Sequence, residues 1–147
     1  QPDYMPDKFE SGTPNLPGIY GFHAAVDFIL DTGVEALQER ERQLTKYFLD
    51  KLRDVKDIRL AGPWDLENRV GVISVDFAQV DNAEAAYRLE QDYGILTRCG
   101  LHCAPLAHRT AGTLETGTVR ASVSAFNVPQ EIPRFVRELR QILSEKP

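Results

Sequence analysis

A β-strand that is apolar on both faces must lie inside a sheet that is covered on both sides, and residues 69–77 (RVGVISVDF) have this pattern. Val70 and Val72 point to one side of the predicted strand, whereas Ile73 and Val75 point to the other. We therefore expect both faces of this strand to be covered.

Helix-like and strand-like segments alternate around this strand. A first helical pattern starts near Phe22, and Asp81 and Glu84 form a capping box that predicts the start of a later helix. The predicted order is helix, helix, strand, strand, helix, strand, strand, helix. It indicates an α/β fold of the two-layer α+β type, in which a small, mostly antiparallel sheet carries helices on one face. The predicted strands cover residues 58–62, 69–77, 94–100 and 118–126, and the last helix buries Ile132, Phe135, Val136, Leu139, Ile142 and Leu143.

The length and charge of the chain limit the function classes. A chain of 147 residues is long enough for one domain with its own core. The net charge is −5, with no cluster of Lys and Arg, which argues against a nucleic-acid partner. No apolar run is as long as a membrane span, and the N-terminus lacks a signal pattern. We expect one domain, residues 1–147, with an irregular lead-in at 1–19, in the cytoplasm; the start at Gln1 suggests a piece of a longer protein.

The segment TRCGLHCAP (residues 97–105) concentrates reactive side chains. Zinc ligation by Cys99, His102, Cys103 and His108 would make the chain a non-catalytic zinc- or partner-binding module, but the spacing matches no common zinc finger or ribbon. A disulfide between the two cysteines is disfavoured in a reducing compartment. Alternation along the strand favours a buried position for Cys99.

Cys103 differs from Cys99 because it lies beyond the predicted strand, next to His102. Ala104 and Pro105 are expected to end any regular structure after it. A thiol on such a loop, near cationic groups, is the kind that acts as a nucleophile.

Two further segments carry groups that bind anions. Arg120 lies in an otherwise apolar strand, where its guanidinium requires either a ligand carboxylate or a salt bridge to one of the 22 acidic residues. Arg98 has the same two alternatives. Gly12 and Thr13, ahead of the first helix, offer backbone amides and a hydroxyl to an anion, although an ordinary helix lead-in has the same composition.

Three separate segments together resemble the C-terminal part of class V aminotransferase-family proteins. They are residues 9–25 (FESGTPNLPGIYGFHAA), 94–105 (GILTRCGLHCAP) and 119–132 (VRASVSAFNVPQEI). The pattern R-x-G-x-H-C-A within the second is most similar to group II cysteine desulfurases and selenocysteine lyases. The resemblance extends from about Lys8 to the last helix. It implies an enzyme that depends on pyridoxal 5'-phosphate (PLP), and that the chain is the C-terminal small domain of the aspartate-aminotransferase fold (fold type I).

The resemblance also implies roles for individual residues. Cys103 matches the cysteine that takes sulfur from L-cysteine as a persulfide and leaves alanine. Arg120 matches the arginine that binds the carboxylate of the amino acid substrate, and Arg98 matches a second active-site arginine. His102 lies inside the matching motif and is a further candidate.

Gly12 and Thr13 match residues that reach the PLP phosphate of the partner subunit, which implies a homodimer. The Schiff-base lysine would lie upstream of these residues, so this fragment alone is expected to be inactive and to hold no PLP. A sulfur-acceptor protein is a further partner of such an enzyme. The segment Phe126-Asn127-Val128 and the residue Leu101 depart from the family pattern. Because of these departures, two alternatives stay open. The substrate is selenocysteine, or the enzyme is a class V aminotransferase that transfers an amino group and in which Cys103 is not catalytic.

Overall fold

The computed structural model describes residues 2–10, 12–67 and 69–145, so the predicted domain limits at 1 and 147 lie outside the described residues. The chain divides into two compact units, residues 1–37 and 38–147, and each is described by itself. No helix in the described part of the chain is long and apolar enough to cross a bilayer. The elements are a 3-10 helix (Asp7–Phe9), α1 (Leu16–Thr32), α2 (Val34–Leu52), β1 (Ile58–Leu60), β2 (Val72–Phe77), α3 (Asn82–Gln91), β3 (Arg98–Gly100), α4 (Pro105–Ala111), β4 (Thr118–Ser122) and α5 (Glu131–Ser144).

The first unit contains α1, which begins at Leu16, inside the predicted irregular lead-in. The helix starts there because the Asn15 side chain accepts a hydrogen bond from the Gly18 N–H at 3.2 Å, and because Pro17 is tolerated in a first turn. Gly33, with φ of 88°, ends it. No residue of α1 is buried. The exposed large apolar residues of this helix are Leu16, Ile19, Tyr20, Phe22, Val26, Phe28, Ile29 and Leu30.

The second unit is built on a four-stranded antiparallel sheet in the order β1-β2-β4-β3. Buried side chains of β2 and β4 form one hydrophobic cluster with those of α2, α3 and α5. The predicted helix start at Asp81 is confirmed: the Asp81 carboxylate caps α3 by accepting hydrogen bonds from the N–H groups of Ala83 at 2.9 Å and Glu84 at 3.0 Å. The helical side of the cluster includes Leu44, Phe48, Leu52, Leu89 and every α5 residue predicted to be buried, and the sheet side includes Ile73, Val75, Phe77, Val119 and Ala121. The predicted two-layer α+β fold with helices on one face is therefore confirmed.

The expectation that β2 is buried on both faces is wrong. Ile73 and Val75 are buried, but Val72 on the opposite face is 40% exposed, and Ser74 and Asp76 are partly exposed. The helices of this unit cover only one face of β2. The other face is open and carries polar side chains, which makes it available for a binding site.

Pro105 begins a helix and does not end regular structure as the sequence suggested. It occupies the first helical position of α4, where the missing N–H would have no partner and the fixed φ suits a helix. Gly112, in the left-handed conformation with φ of 68°, ends this short helix. A helix of seven residues therefore joins the cysteine segment to β4.

Leu139→Ala tests the core between the helices and the sheet. Leu139 is 0% exposed in the hydrophobic cluster, so its truncation leaves a cavity. We expect the free energy of unfolding to fall by about 2–5 kcal/mol in urea denaturation. Arg140→Ala, at an exposed neighbour on the same helix, is the control and should change it by less than about 0.5 kcal/mol. A Leu139→Ala variant as stable as the control would contradict this account of the core.

Candidate active site

The open face of the sheet brings two arginines directly opposite each other. In the β3–β4 register Arg98 pairs with Arg120, and in the β2–β4 register Arg120 pairs with Ser74. Because side chains alternate along strands, these three residues lie in one row on the face that the helices leave open. Two glycines allow the backbones of Gly100 and Gly117 to lie close together, because a Cβ on Gly117, where φ is 63°, would lie only 2.8 Å from the Cα of Gly100.

The row has positive charge without a counter-ion among the described residues. Like charges directly opposite in a sheet repel each other. None of the ion pairs within the described residues includes Arg98 or Arg120, and the buried Nε of Arg120 has no hydrogen-bond partner there. The internal salt bridge that the sequence left open for Arg120 is therefore not found. A half-buried guanidinium with a free Nε fits a planar anion such as a carboxylate.

The segment after β3 is a tight turn with a left-handed backbone. The Ala104 N–H donates to the Leu101 carbonyl at 2.8 Å, and the residues between them, His102 and Cys103, have φ of 52° and 58°. Positive φ at both central residues is typical of a type I′ turn, which prefers Gly, Asn or Asp. Each such non-glycine residue costs about 1–3 kcal/mol, and backbone strain of this kind concentrates at functional sites. The turn holds Cys103 at an exposed position.

His102, a central residue of this turn, is close enough to both arginines to interact with them electrostatically. Burial lowers the pKa of its imidazole below the usual range, although a hydrogen bond with the Arg98 backbone opposes this. Coulombic interactions with Arg120, His108 and Arg98 lower the pKa of His102 further. The buried Nε2 has no hydrogen-bond partner in the described residues. His102 is therefore a neutral base at pH 7, with one ring nitrogen unused.

His108, which the sequence suggested only as a zinc ligand, supports this arrangement from α4. It is buried, its ring is stacked against that of His102 with centroids 5.7 Å apart, and its Nδ1 is 2.8 Å from the Thr113 hydroxyl. Ser74 is a second neighbour of the site that the sequence did not single out. Strand alternation places it on the open face, but only the register reveals that it faces Arg120.

The two cysteines are both free and both exposed. The expectation that Cys99 is a buried strand residue is wrong, because β3 is a three-residue strand at the edge of the sheet. Cys99, His102, Cys103 and His108 do not form a zinc site: the described residues contain no group of three or more His, Cys, Asp or Glu side chains placed to hold a metal ion.

Gly12 and Thr13 belong to the first unit and lie before α1. Gly12 has φ of 88°, and a Cβ built on it would meet no atom within 4 Å. Thr13 is exposed. The backbone here is open to a ligand, which fits an anion such as a phosphate. Of the predicted site residues, the second unit thus brings together Arg98, His102, Cys103 and Arg120, whereas Gly12 and Thr13 lie in the other unit.

The lowered pKa of His102 predicts a pH dependence of stability. In the unfolded chain His102 has the ordinary histidine pKa of about 6.5, so below this pH the unfolded state binds more protons than the folded state. Stability is therefore lost as the pH falls through about 6.5 towards the folded-state pKa. We expect His102→Gln to reduce the loss of unfolding free energy between about pH 7.5 and 5, measured by urea denaturation. If the unfolding free energies of variant and parent changed equally with pH, His102 would not be held neutral by the fold.

Comparison with known proteins identifies the family. The family model of class V aminotransferases matches residues 2–135. A probable cysteine desulfurase from Xylella fastidiosa (strain 9a5c) is 34% identical over 137 residues, which cover 93% of this chain and 32% of that protein. This chain thus spans about a third of the length of the curated relatives it matches.

Two solved structures share the fold. The apo structure of a cysteine desulfurase from Thermococcus onnurineus NA1 has a TM-score of 0.85 and 29% identity, covering 95% of this chain and 34% of that one. The cysteine desulfurase CsdA from Escherichia coli, in the S-sulfonic acid form, has a TM-score of 0.83 and 27% identity, covering 97% and 34%. These neighbours have the fold of PLP-dependent aminotransferases, as the sequence predicted. The chain belongs to the class V aminotransferase family of PLP-dependent enzymes.

Proposed function

We propose that this chain is the C-terminal small-domain part of a PLP-dependent enzyme that removes sulfur from L-cysteine, giving alanine and a persulfide on Cys103. The observation that carries the proposal is the exposed Cys103 in a strained turn beside His102, close in the chain to a pair of facing arginines that have no ion pair among the described residues. The names of the relatives, which are cysteine desulfurases, support the same reaction.

The arginine pair binds the amino acid substrate by its carboxylate. Arg120 offers a half-buried fork with a free Nε, and Arg98 adds a second positive charge from the opposite strand. A carboxylate between them neutralises the repulsion of the row and accepts charge-assisted hydrogen bonds. Binding at this point fixes one end of the substrate and thereby orients the sulfur.

The residues of the chain fit PLP and a substrate bound to it. The free space around Gly12 and the exposed Thr13 suit the phosphate of a cofactor in a partner subunit, and the proposal includes the homodimer that the family resemblance implies. When bound, PLP withdraws electrons from the substrate and so weakens its carbon–sulfur bond. None of the five lysines of this chain lies in a context that matches the cofactor lysine of the family. The 147 residues alone are therefore proposed to be inactive.

Cys103 performs the sulfur transfer. Its exposed thiol gives its proton to solvent, and the resulting thiolate attacks the sulfur of the bound cysteine. A sulfur–sulfur bond forms while the bond between that sulfur and the substrate carbon breaks. The electron pair of the broken bond stays with the carbon, which takes up a proton and leaves as alanine. The persulfide then passes its outer sulfur to a thiol of an acceptor protein.

The test is to supply L-cysteine to an active enzyme that contains this chain. We expect alanine in equal amount to the transferred sulfur and, after alkylation, one extra sulfur atom on the peptide that contains Cys103, detected by mass spectrometry. Formation of a keto acid with amination of an acceptor, without a modified Cys103 peptide, would instead support an aminotransferase. A selenocysteine arm determines whether the enzyme prefers selenium over sulfur.

A further inference from the structure

His108 is anchored on one side in the loop that leads from α4 to β4. Its Nδ1 is 2.8 Å from the hydroxyl of Thr113, which is 1% exposed, and the Thr113 N–H donates to the His108 carbonyl at 2.9 Å. The Thr113 carbonyl in turn accepts a hydrogen bond at 2.8 Å from the N–H of Gly117, the residue directly before β4. These contacts fix the position of the His108 ring relative to the strand that carries Arg120.

The other side of His108 faces the cysteine turn. Its ring is stacked on that of His102 at a centroid distance of 5.7 Å and an interplanar angle of 27°. The His108 N–H also donates to the Ala104 carbonyl at 3.1 Å, so both the ring and the backbone of His108 contact the turn. His102 and Cys103 both have positive φ, a conformation that persists only where surrounding contacts enforce it.

We propose that His108 is a positioning residue for the sulfur-transfer step, whose ring holds His102 and thereby the left-handed turn that presents Cys103. This inference rests on the proposed function, since it concerns the same thiol. The His108 ring contacts His102 and Thr113, so its effect on Cys103 passes through His102. The ring of His108 is proposed to hold the turn through its stacked surface, because that surface contacts His102.

The experiment compares His108→Ala and His108→Phe with the parent in an active enzyme that contains this chain. Ala removes the ring, whereas Phe keeps a ring of similar size and loses only the hydrogen bond to Thr113. For sulfide release from L-cysteine in the presence of a reductant, we expect Ala to lower kcat about 10- to 100-fold with KM changed by less than about threefold. Phe should restore kcat to within about threefold of the parent. Arg109→Ala, an exposed neighbour on α4, is the matched control and should leave kcat unchanged.

Hydrogen exchange of the amides of residues 102–104 provides a second readout that does not depend on activity. The Ala104 amide is bonded to the Leu101 carbonyl only while the turn is closed, so we expect faster exchange in His108→Ala and parent-like exchange in His108→Phe and Arg109→Ala. Unchanged kcat and unchanged amide exchange in His108→Ala would overturn the inference. Equal losses of kcat in His108→Ala and His108→Phe would also overturn it. If the parent released no sulfide, the proposed function would fail, and exchange alone would decide whether His108 holds the turn.

Discussion

Replacing Cys103 with alanine is expected to reduce sulfur release from L-cysteine by roughly 10³-fold or more, since the variant has no atom to accept the sulfur. Substrate binding should persist, because the arginine row on β3 and β4 is untouched. The measurements are sulfide release and, separately, the change in cofactor absorbance when cysteine is added. We expect the first to disappear and the second to remain.

Cys99→Ala is the matched control for this experiment. Cys99 is also a free, exposed cysteine, four positions earlier in the chain, so it tests whether any exposed thiol suffices. We expect the control to release sulfide at the parent rate. A Cys103→Ala variant as active as the control would refute the assignment of Cys103 and favour amino-group transfer.

Arg120→Ala should mainly weaken productive binding of the substrate. A charge-assisted pair with a carboxylate contributes about 1.5–3 kcal/mol, so kcat/KM should fall roughly ten- to two-hundred-fold. Arg120→Lys keeps the charge but loses the planar fork, and it should recover only part of the loss. The cofactor content should be normal in both variants, because Arg120 is proposed to contact the substrate and not the phosphate.

The melting temperature distinguishes this role from a structural one. Because Arg120 faces Arg98 without an ion pair in the described residues, removing one charge relieves repulsion, and we expect an unchanged or higher Tm. A structural role would give a lower Tm with substrate affinity nearly unaltered. A lower Tm with unaltered substrate affinity would show that Arg120 does not bind the substrate carboxylate.

Local sequence patterns predicted the elements whose signals lie within one segment. The six apolar residues of α5 fall at helical spacing and all are buried, and Asp81 caps the start of α3 as expected. The helix α4 was not predicted because Pro105 was interpreted as an end, although the same residue is equally suited to the first turn of a helix. A short helix with few apolar residues gives little periodic signal to correct that choice.

The individual residues of the candidate site could be predicted from the sequence, but their positions relative to one another could not. The motif pointed to Cys103 and Arg98, yet the pairing of Arg98 with Arg120 depends on strand register, which is decided by contacts between distant segments. The exposure of Cys99 likewise follows from the place of β3 at the sheet edge, which no local pattern encodes. The contact of His108 with His102 depends on the unpredicted α4.

The arginine row, which has no ion pair among the described residues, has a consequence for the stability of the β3–β4 edge. Two facing guanidinium groups hold the β3–β4 edge under repulsion, and an anion that binds only the folded form relieves it. Such a ligand stabilises the fold by about 2.7 kcal/mol when its concentration is a hundred times its Kd. A carboxylate bound at this row would therefore raise the free energy needed to open the β3–β4 edge.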